Sequence, residues 1–506
     1  MIYAILVIAI QVINWAGMNL TTDNILLTGS ILLILSILAG KTSGRFGVPT
    51  LIFFLIIGVM AGSEGIGGIN FDDPGLAQLI GIIALNFILF SGGLDTNWER
   101  VRPILWRGVA LSTFGVLITA FSVGLFVYYF FDFSLLEGLL LGSIVSATDA
   151  AAVFSILRSK GIRLKGSLAP VLELESGSND PTAYFLTILL TAIIKTGDIE
   201  PLSITVSFLQ QFIIGGTIGY GMGRLSHQII NRIKLDTEGL YPVLLMGLAL
   251  FTYALTHSIG GNGFLATYVG AIVLGNRNFI HKRTLIRFYE GQAWLWQIIL
   301  FLSLGLLVYP SQIIPIIGIG LLISAFLILI ARPLGVFISL AFFKTNNRSK
   351  LFISWVGLRG GIPIVFATYP LLAGLDKANM IFNLVFFISV SSVLLQGTSM
   401  AFIGRLLHVV LPASQKQKDG TNALEHHRSH MIEFTIQEFS PVTDKKIVDL
   451  GIPLSVNIMA IKRGDLFIQP VGSTSLKEKD VIYILADDEI ALNIANKYFL
   501  ATEKDQ

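Results

Sequence analysis

The stretch SIVSATDAAAVFSILRSKGIRLKGSLAPVLELESGSNDPTAY, residues 143–184, decides how the rest of the chain is read. Two strongly apolar segments flank a short basic loop. Each carries acids where a membrane helix ordinarily has none: Asp149 in the first, and Glu173, Glu175 and Asp180 in the second. A single charge at the bilayer centre costs about 2.5–3.5 kcal/mol on insertion scales, so such groups mark a functional site or a held partner. At 100° per residue, Glu173, Ser176 and Asp180 fall within roughly 60° of one another, while Glu175 and Asn179 share a second face. The first face offers a hydroxyl and a carboxylate four residues apart, two oxygens that can ligate a hard monovalent cation. The second offers Glu175, which needs a cationic partner. Arg359, the charge deep in the apolar segment 350–372, is the expected one.

The chain around this stretch has 506 residues, 53% hydrophobic and 13% charged, with mean hydropathy +0.75. Soluble domains carry about 25% charged residues. Apolar segments near 20 residues recur from residue 23 to about residue 408, the signature of a polytopic helical membrane protein. About thirteen spans are expected, at 24–40, 46–62, 76–94, 105–130, 136–157, 169–194, 203–227, 239–258, 262–276, 285–309, 312–343, 350–372 and 379–407. Residues 1–22 form an N-terminal apolar segment without Lys or Arg, so it is no ordinary secretory signal. It is either an extra helix or a misassigned start ahead of Met18. The absence of cysteine excludes disulfides, thiolate metal sites and thiol redox chemistry. The net charge of +3 is small, and no basic patch interleaved with aromatics offers a nucleic-acid surface.

The loops alternate in charge. Lys41 and Arg45 follow the first span; Arg100, Arg102 and Arg107 the third; Arg158, Lys160, Arg163 and Lys165 the fifth. Arg232 and Lys234 follow the seventh, Arg277, Lys282, Arg283 and Arg287 the ninth, and Lys344, Arg348 and Lys350 the eleventh. The intervening loops are poor in bases. By the positive-inside rule the basic loops and the C-terminus are cytoplasmic.

Segments GVPTLIFFLIIGVMAG (47–62) and GFLATYVGAIVLG (263–275) resemble each other, and polar breaks fall at Ala147-Thr148-Asp149 and at 357–361, GLRGG. Both pairs lie seven spans apart, an odd offset that would make the copies inverted. Inverted repeats with interrupted helices point to a secondary transporter with a site near the membrane midplane. In an unwound segment the Thr148 carbonyl becomes a ligand candidate, Asp149 can neutralise helix N-terminal dipoles, and Arg359 can neutralise C-terminal ones. Glu173, near the start of its helix, is an entrance candidate. Beyond residue 410 the composition changes. A polar linker (411–430) precedes alternating stretches and a hairpin-like Lys462-Arg463-Gly464-Asp465, which read as a small cytoplasmic α+β domain over 431–499 with a closing helix from Asp487.

At the Thr148-Asp149 pair, the run Glu175-Ser176-Asn179-Asp180 with Pro181, and GLRGGIP (357–363), the sequence resembles the monovalent cation:proton antiporter superfamily. Within it the NhaP-type bacterial potassium/proton antiporters are the most similar. Residues 460–464, 469–474, Leu476 and Asp480 resemble the TrkA-C (RCK C-terminal) domain, a regulatory module. The resemblance implies an all-α bundle with crossed, broken helices in the inner membrane of a bacterium, and a transporter, not an enzyme. No cofactor is implied. K⁺ is favoured over Na⁺, a nucleotide or ion is the expected tail ligand, and a homodimer is the expected assembly. It also implies that Asp180 binds proton and cation in turn, with Ser176, Thr148 and Asn179 adding oxygens and Glu175 pairing Arg359, and that exchange is electroneutral. Relatives often carry an acid where Ser91 stands in this chain, which bears on ion choice. The rivals are a channel gated by the tail, disfavoured by the lack of a TVGYG-like filter, and a membrane ion sensor without flux.

Overall fold

The structure, a computed structural model, describes residues 22–46, 49–197, 200–411, 430–436, 440, 442–450, 456–464 and 466–486. It forms two compact units, residues 1–410 and 411–506. The N-terminal apolar segment, most of the linker, Asp465 and the closing helix expected from Asp487 lie outside the described residues.

The first unit is helical: α1 (Thr22–Phe46), α2 (Thr50–Ala61), α3 (Pro74–Asp95), α4 (Trp98–Phe130), α5 (Leu135–Ser146), α6 (Ala150–Ser159), α7 (Leu168–Thr196), α8 (Pro201–Arg232), α9 (Leu240–Ser258), α10 (Gly263–Gly275), α11 (Lys282–Leu306), α12 (Pro310–Ser339), α13 (Asn347–Val356), α14 (Gly361–Ala373) and α15 (Ala378–Leu406). Among the described residues six helices are long and apolar enough to cross a membrane by length and composition. The pair α13 and α14, bent by 52°, makes a seventh if it counts as one span. Four shorter apolar helices accompany them, and α7 is long but carries three acids. The interval 136–157, expected as one span, is two helices.

Local chemistry sets the helix ends. Ser134 and Glu137 close a capping box on α5. The Asp73 and Asn262 side chains accept from Leu76 N and Leu265 N, satisfying donors in the first turns of α3 and α10. Small residues set the crossings. A Cβ on Gly305 of α11 would sit 2.5 Å from Leu55 O of α2, and one on Gly275 of α10 would sit 2.3 Å from Leu94 O of α3. Backbones approach this closely only where side chains are absent. Helices α4 and α12 each contain one widened, π-type turn, at Leu111–Gly115 and Leu327–Ala331. Beyond the second of these, α12 meets α4 at Gly335, whose Cβ would lie 2.6 Å from Thr119 Oγ1.

The second unit carries a four-stranded antiparallel sheet in the order β1-β4-β2-β3, from β1 (His430–Thr435), β2 (Val456–Arg463), β3 (Leu466–Ile468) and β4 (Val481–Ala486). Arg463 pairs with Leu466, so the turn is two residues long, and Gly464 supplies its positive φ of 60°. Ile461, Leu476, Ile482, Ile484 and Phe434 form its apolar core. Asp480, the residue before β4, is buried and takes a two-pronged grip from Arg463, at 2.8 Å and 2.7 Å.

Candidate functional site

The two broken helices cross. Helix α5 stops at Ser146, and Ala147 turns extended (φ −61°, ψ 141°). Residues 147–149 run uncoiled before α6 begins. Helix α13 stops at Val356, and Gly357–Gly360 lead into α14. At the crossing Asp149 N donates to Leu358 O at 2.9 Å, so one uncoiled strand satisfies the other.

Two helix N-termini and two C-termini therefore point at one region. The Asp149 carboxylate accepts from Ala152 N at 3.0 Å, in the first turn of α6. It also lies against Gly360, where a Cβ would come within 1.9 Å of Oδ2, at the start of α14. Negative charge at such positions is favourable. Arg359 stands at the opposite poles. Its Nε donates to Val145 O at 2.8 Å and its Nη1 donates to Gly357 O, the trailing carbonyls of α5 and α13. Its backbone N donates to Ser392 Oγ of α15 at 3.0 Å.

Helix α7 packs across this crossing. Ser176 Oγ donates to Thr148 O at 2.6 Å, and Asn179 Nδ2 donates to Thr148 Oγ1. The sequence reading placed Ser176 and Asn179 on separate faces; the uncoiled Thr148 reaches both, so they belong to one cluster. Asp180 is beside them, 1% exposed, and among the described residues neither of its carboxylate oxygens has a hydrogen-bond partner. Asn179 Oδ1 is likewise buried, with no partner among the described residues. Asp149 lies within electrostatic reach of Asp180. Pro181 has no N–H to give to the carbonyl of Gly177, which opens the turn holding Asp180. Asn262 braces that turn, its Nδ2 donating to Pro181 O at 3.2 Å. One turn further on, the Tyr184 ring meets Phe264, Tyr369 and Phe366, with centroids 5.3–5.8 Å away.

Glu175 corrects an expectation. Its partner is Arg332 of α12, not Arg359: Arg332 Nη2 donates to Glu175 Oε1, both side chains being 2% exposed. Arg359 stays near the pair. A Cβ on Gly357 would be 2.6 Å from Arg332 Nε and 2.8 Å from Arg359 Nη1. Arg359 goes elsewhere because the two orphan carbonyls of α5 and α13 are its nearest acceptors. Sequence reasoning did not single out Arg332. Arg332 is the one charged residue within residues 310–343, and that isolation was the available signal. Asn262 gave no comparable signal, because loop asparagines are common.

Glu173 is half-buried and accepts from Thr96 Oγ1 at 2.9 Å. Ser91 is buried in α3. Two oxygens of Asp180, one of Asn179 and the crossing backbone can together coordinate a cation that prefers several oxygens. Among the described residues, no group of three or more His, Cys, Asp or Glu side chains is arranged to hold a metal ion.

The profile of the sodium/hydrogen exchanger transmembrane family matches residues 30–406, and that of the TrkA-C domain matches residues 431–497. The chain is 41% identical over 473 residues to the K(+)/H(+) antiporter NhaP of Alkalimonas amylolytica, covering 93% of this chain and 81% of that protein. It is 38% identical to the K(+)/H(+) antiporter NhaP2 of Shewanella oneidensis, covering 96% of this chain and 85% of that one. The fold resembles that of the sodium proton antiporter MjNhaP1 from Methanocaldococcus jannaschii, with a TM-score of 0.64 at 24% identity, covering 73% of this chain and 97% of that chain.

Proposed function

The chain belongs to the sodium/hydrogen exchanger family, and on that premise we propose that it exchanges K⁺ for protons across a bacterial inner membrane at Asp180. The observation that carries this reading is a buried carboxylate whose two oxygens have no hydrogen-bond partner among the described residues, beside a crossing of broken helices. A bare carboxylate in such surroundings is costly. It is relieved by a proton or by a cation, and the two compete for the same oxygens. Only the loaded forms cross, which couples the fluxes. Ser176, Thr148 and Asn179 supply further oxygens. Asp149 and Arg359 hold the four helix ends, and Glu175 with Arg332 is the structural ion pair. Glu173 lies on the entrance route.

In this reading the first unit has thirteen spans, and spans two and nine, four and eleven, and five and twelve are inverted copies. The matched glycine crossings and π-type turns support that symmetry. The membrane domain runs over residues 23–410, the linker over 411–430, and a cytoplasmic regulatory TrkA-C domain over 431–499, where a nucleotide or ion binds. The protein works as a homodimer. Asparagine at position 179, where two-acid relatives carry a second carboxylate, makes exchange electroneutral. K⁺ is favoured because the two most similar proteins named above carry K⁺ in their names.

Proteoliposomes with an internal pH dye test this directly. K⁺ and Rb⁺ should dequench the dye more strongly than Na⁺ or Li⁺, a valinomycin clamp should leave the rate unchanged, and Asp180→Asn should abolish the signal. Wild-type exchange by Asp180→Asn would overturn the mechanism, and a Na⁺-dominated response would make the protein a Na⁺/H⁺ antiporter of the same fold.

A further inference from the structure

Away from Asp180, the first unit contains a cavity of about 370 Å³, within the ~300–1,000 Å³ range of small-molecule sites. Five basic side chains line it: Arg107, Lys165, Lys344, Arg348 and His408. They come from four segments far apart in sequence, and no Asp or Glu lines the cavity. None of the five makes an ion pair among the described residues, although buried Arg332 and half-exposed Arg463 each have a carboxylate. The positive-inside rule accounts for basic loops on this face, but not for their convergence on one hollow without a counter-ion.

Two further observations point to an anion. The cavity wall includes Ser167 and Leu168 at the start of α7, a 29-residue helix whose N-cap serine makes no side-chain cap, so the positive end of its dipole is open to the cavity. Thr345 also lines it, and its hydroxyl oxygen is buried with no partner among the described residues. We propose that this cavity binds a phosphate-bearing anion, the shared chemistry of an anionic lipid headgroup and a soluble phosphate compound. Basic pockets between membrane helices on the cytoplasmic side are a recurrent form of headgroup site.

The position gives the ligand a structural consequence. Lys165 N donates to Val409 O at 2.8 Å, and Leu164 bridges Val410, so the loop entering α7 is already tied to the segment leaving α15. An anion held by Lys165 and His408 adds a second tie between the same segments. The inference goes beyond the exchange reaction and does not depend on it.

The test uses full-length protein in two kinds of nanodisc, read by thermal unfolding. Pyrophosphate is titrated into phosphatidylcholine discs, and phosphatidylglycerol is mixed into the second set. Wild type should shift upward with at least one ligand, and less so at high salt. The variant Lys344→Gln/Arg348→Gln should weaken the response at least tenfold in midpoint concentration. The control Arg232→Gln/Lys234→Gln, which removes two bases of another loop, should keep it. A shift with pyrophosphate identifies a soluble ligand; a shift with phosphatidylglycerol alone identifies a headgroup. If the double variant does not fold, Lys165→Gln, an exposed loop change, makes the same comparison. Equal shifts in all proteins, or no shift with either ligand, overturn the proposal.

Discussion

Replacing one member of the Glu175–Arg332 pair should be among the most destabilising single changes in the membrane unit. Both side chains are 2% exposed, so solvent neither screens the pair nor stabilises the survivor. Breaking a buried ion pair by removing one partner costs about 3–5 kcal/mol, a loss of two orders of magnitude or more in the folded-to-unfolded ratio at about 1.4 kcal/mol per factor of ten. The two singles should differ. Arg332→Met leaves one carboxylate with Arg359 still near. Glu175→Gln leaves two guanidinium groups around Gly357 without their anion, and should be the worse. The double variant Glu175→Gln/Arg332→Met removes both charges and should cost less than either single, giving a coupling of about 3 kcal/mol or more in a double-mutant cycle. The parallel cycle of Glu175 with Arg359 should show a smaller coupling, since Arg359 is bonded to Val145 O and Gly357 O. Denaturant unfolding in detergent micelles, followed by tryptophan fluorescence, measures all of these. A Glu175–Arg332 coupling within about 0.5 kcal/mol of zero, or a larger one to Arg359, would refute the argument.

Gly360→Ala places a methyl group 1.9 Å from Asp149 Oδ2; it should destabilise the crossing by about 1–3 kcal/mol and slow exchange in proteoliposomes, while a wild-type melting midpoint would count against the geometry. Ser176→Ala should raise the KM for the cation several-fold with a smaller change in kcat, read from dequenching over a K⁺ series. In the tail, burial raises the Asp480 carboxyl, but the Arg463 hydrogen bonds, the Lys477 N–H and the nearby Arg463 and Lys477 charges outweigh it and hold the carboxyl below its ordinary value of 3.8. A carboxyl depressed by folding contributes stability that is present above its unfolded value and lost as pH falls through its folded value. Amide protection of β2 and β4 in the full-length protein should therefore fall as pH drops below about 4. Asp480→Asn should lose that protection at neutral pH and flatten the profile; an unchanged profile would show that the Arg463 grip does not stabilise the sheet.

Hydrophobic segments and their charged flanks are local properties, and local properties place helices. Among the described residues the expected apolar intervals coincide largely with helix, six or seven of them long and apolar enough to span, while 136–157 and 350–372 are each broken; the breaks at residues 147–149 and 357–360 lie where threonine, aspartate and glycine interrupt apolar runs. Asp180 stood out because a charge in an apolar helix is improbable without a reason, and that argument needs no coordinates. Partners were harder. A helical wheel shows which residues share a face of α7 but not what an uncoiled segment does when it crosses that helix. Thr148 reaches Ser176 and Asn179 because residues 147–149 are extended, and no periodicity of α7 encodes that.

Composition, segment length and isolated intramembrane charges thus determined from sequence alone that this is a polytopic helical membrane protein, that its improbable buried acids lie on α7, and that a separate sheet domain follows it in the sequence. The tertiary structure alone decided which charge meets which. Glu175 and Arg332 lie 157 residues apart and on different helices. Their pairing depends on how α4, α7 and α12 pack and on the two carbonyls that engage Arg359, and a packing angle is a property of all the side chains at a crossing together.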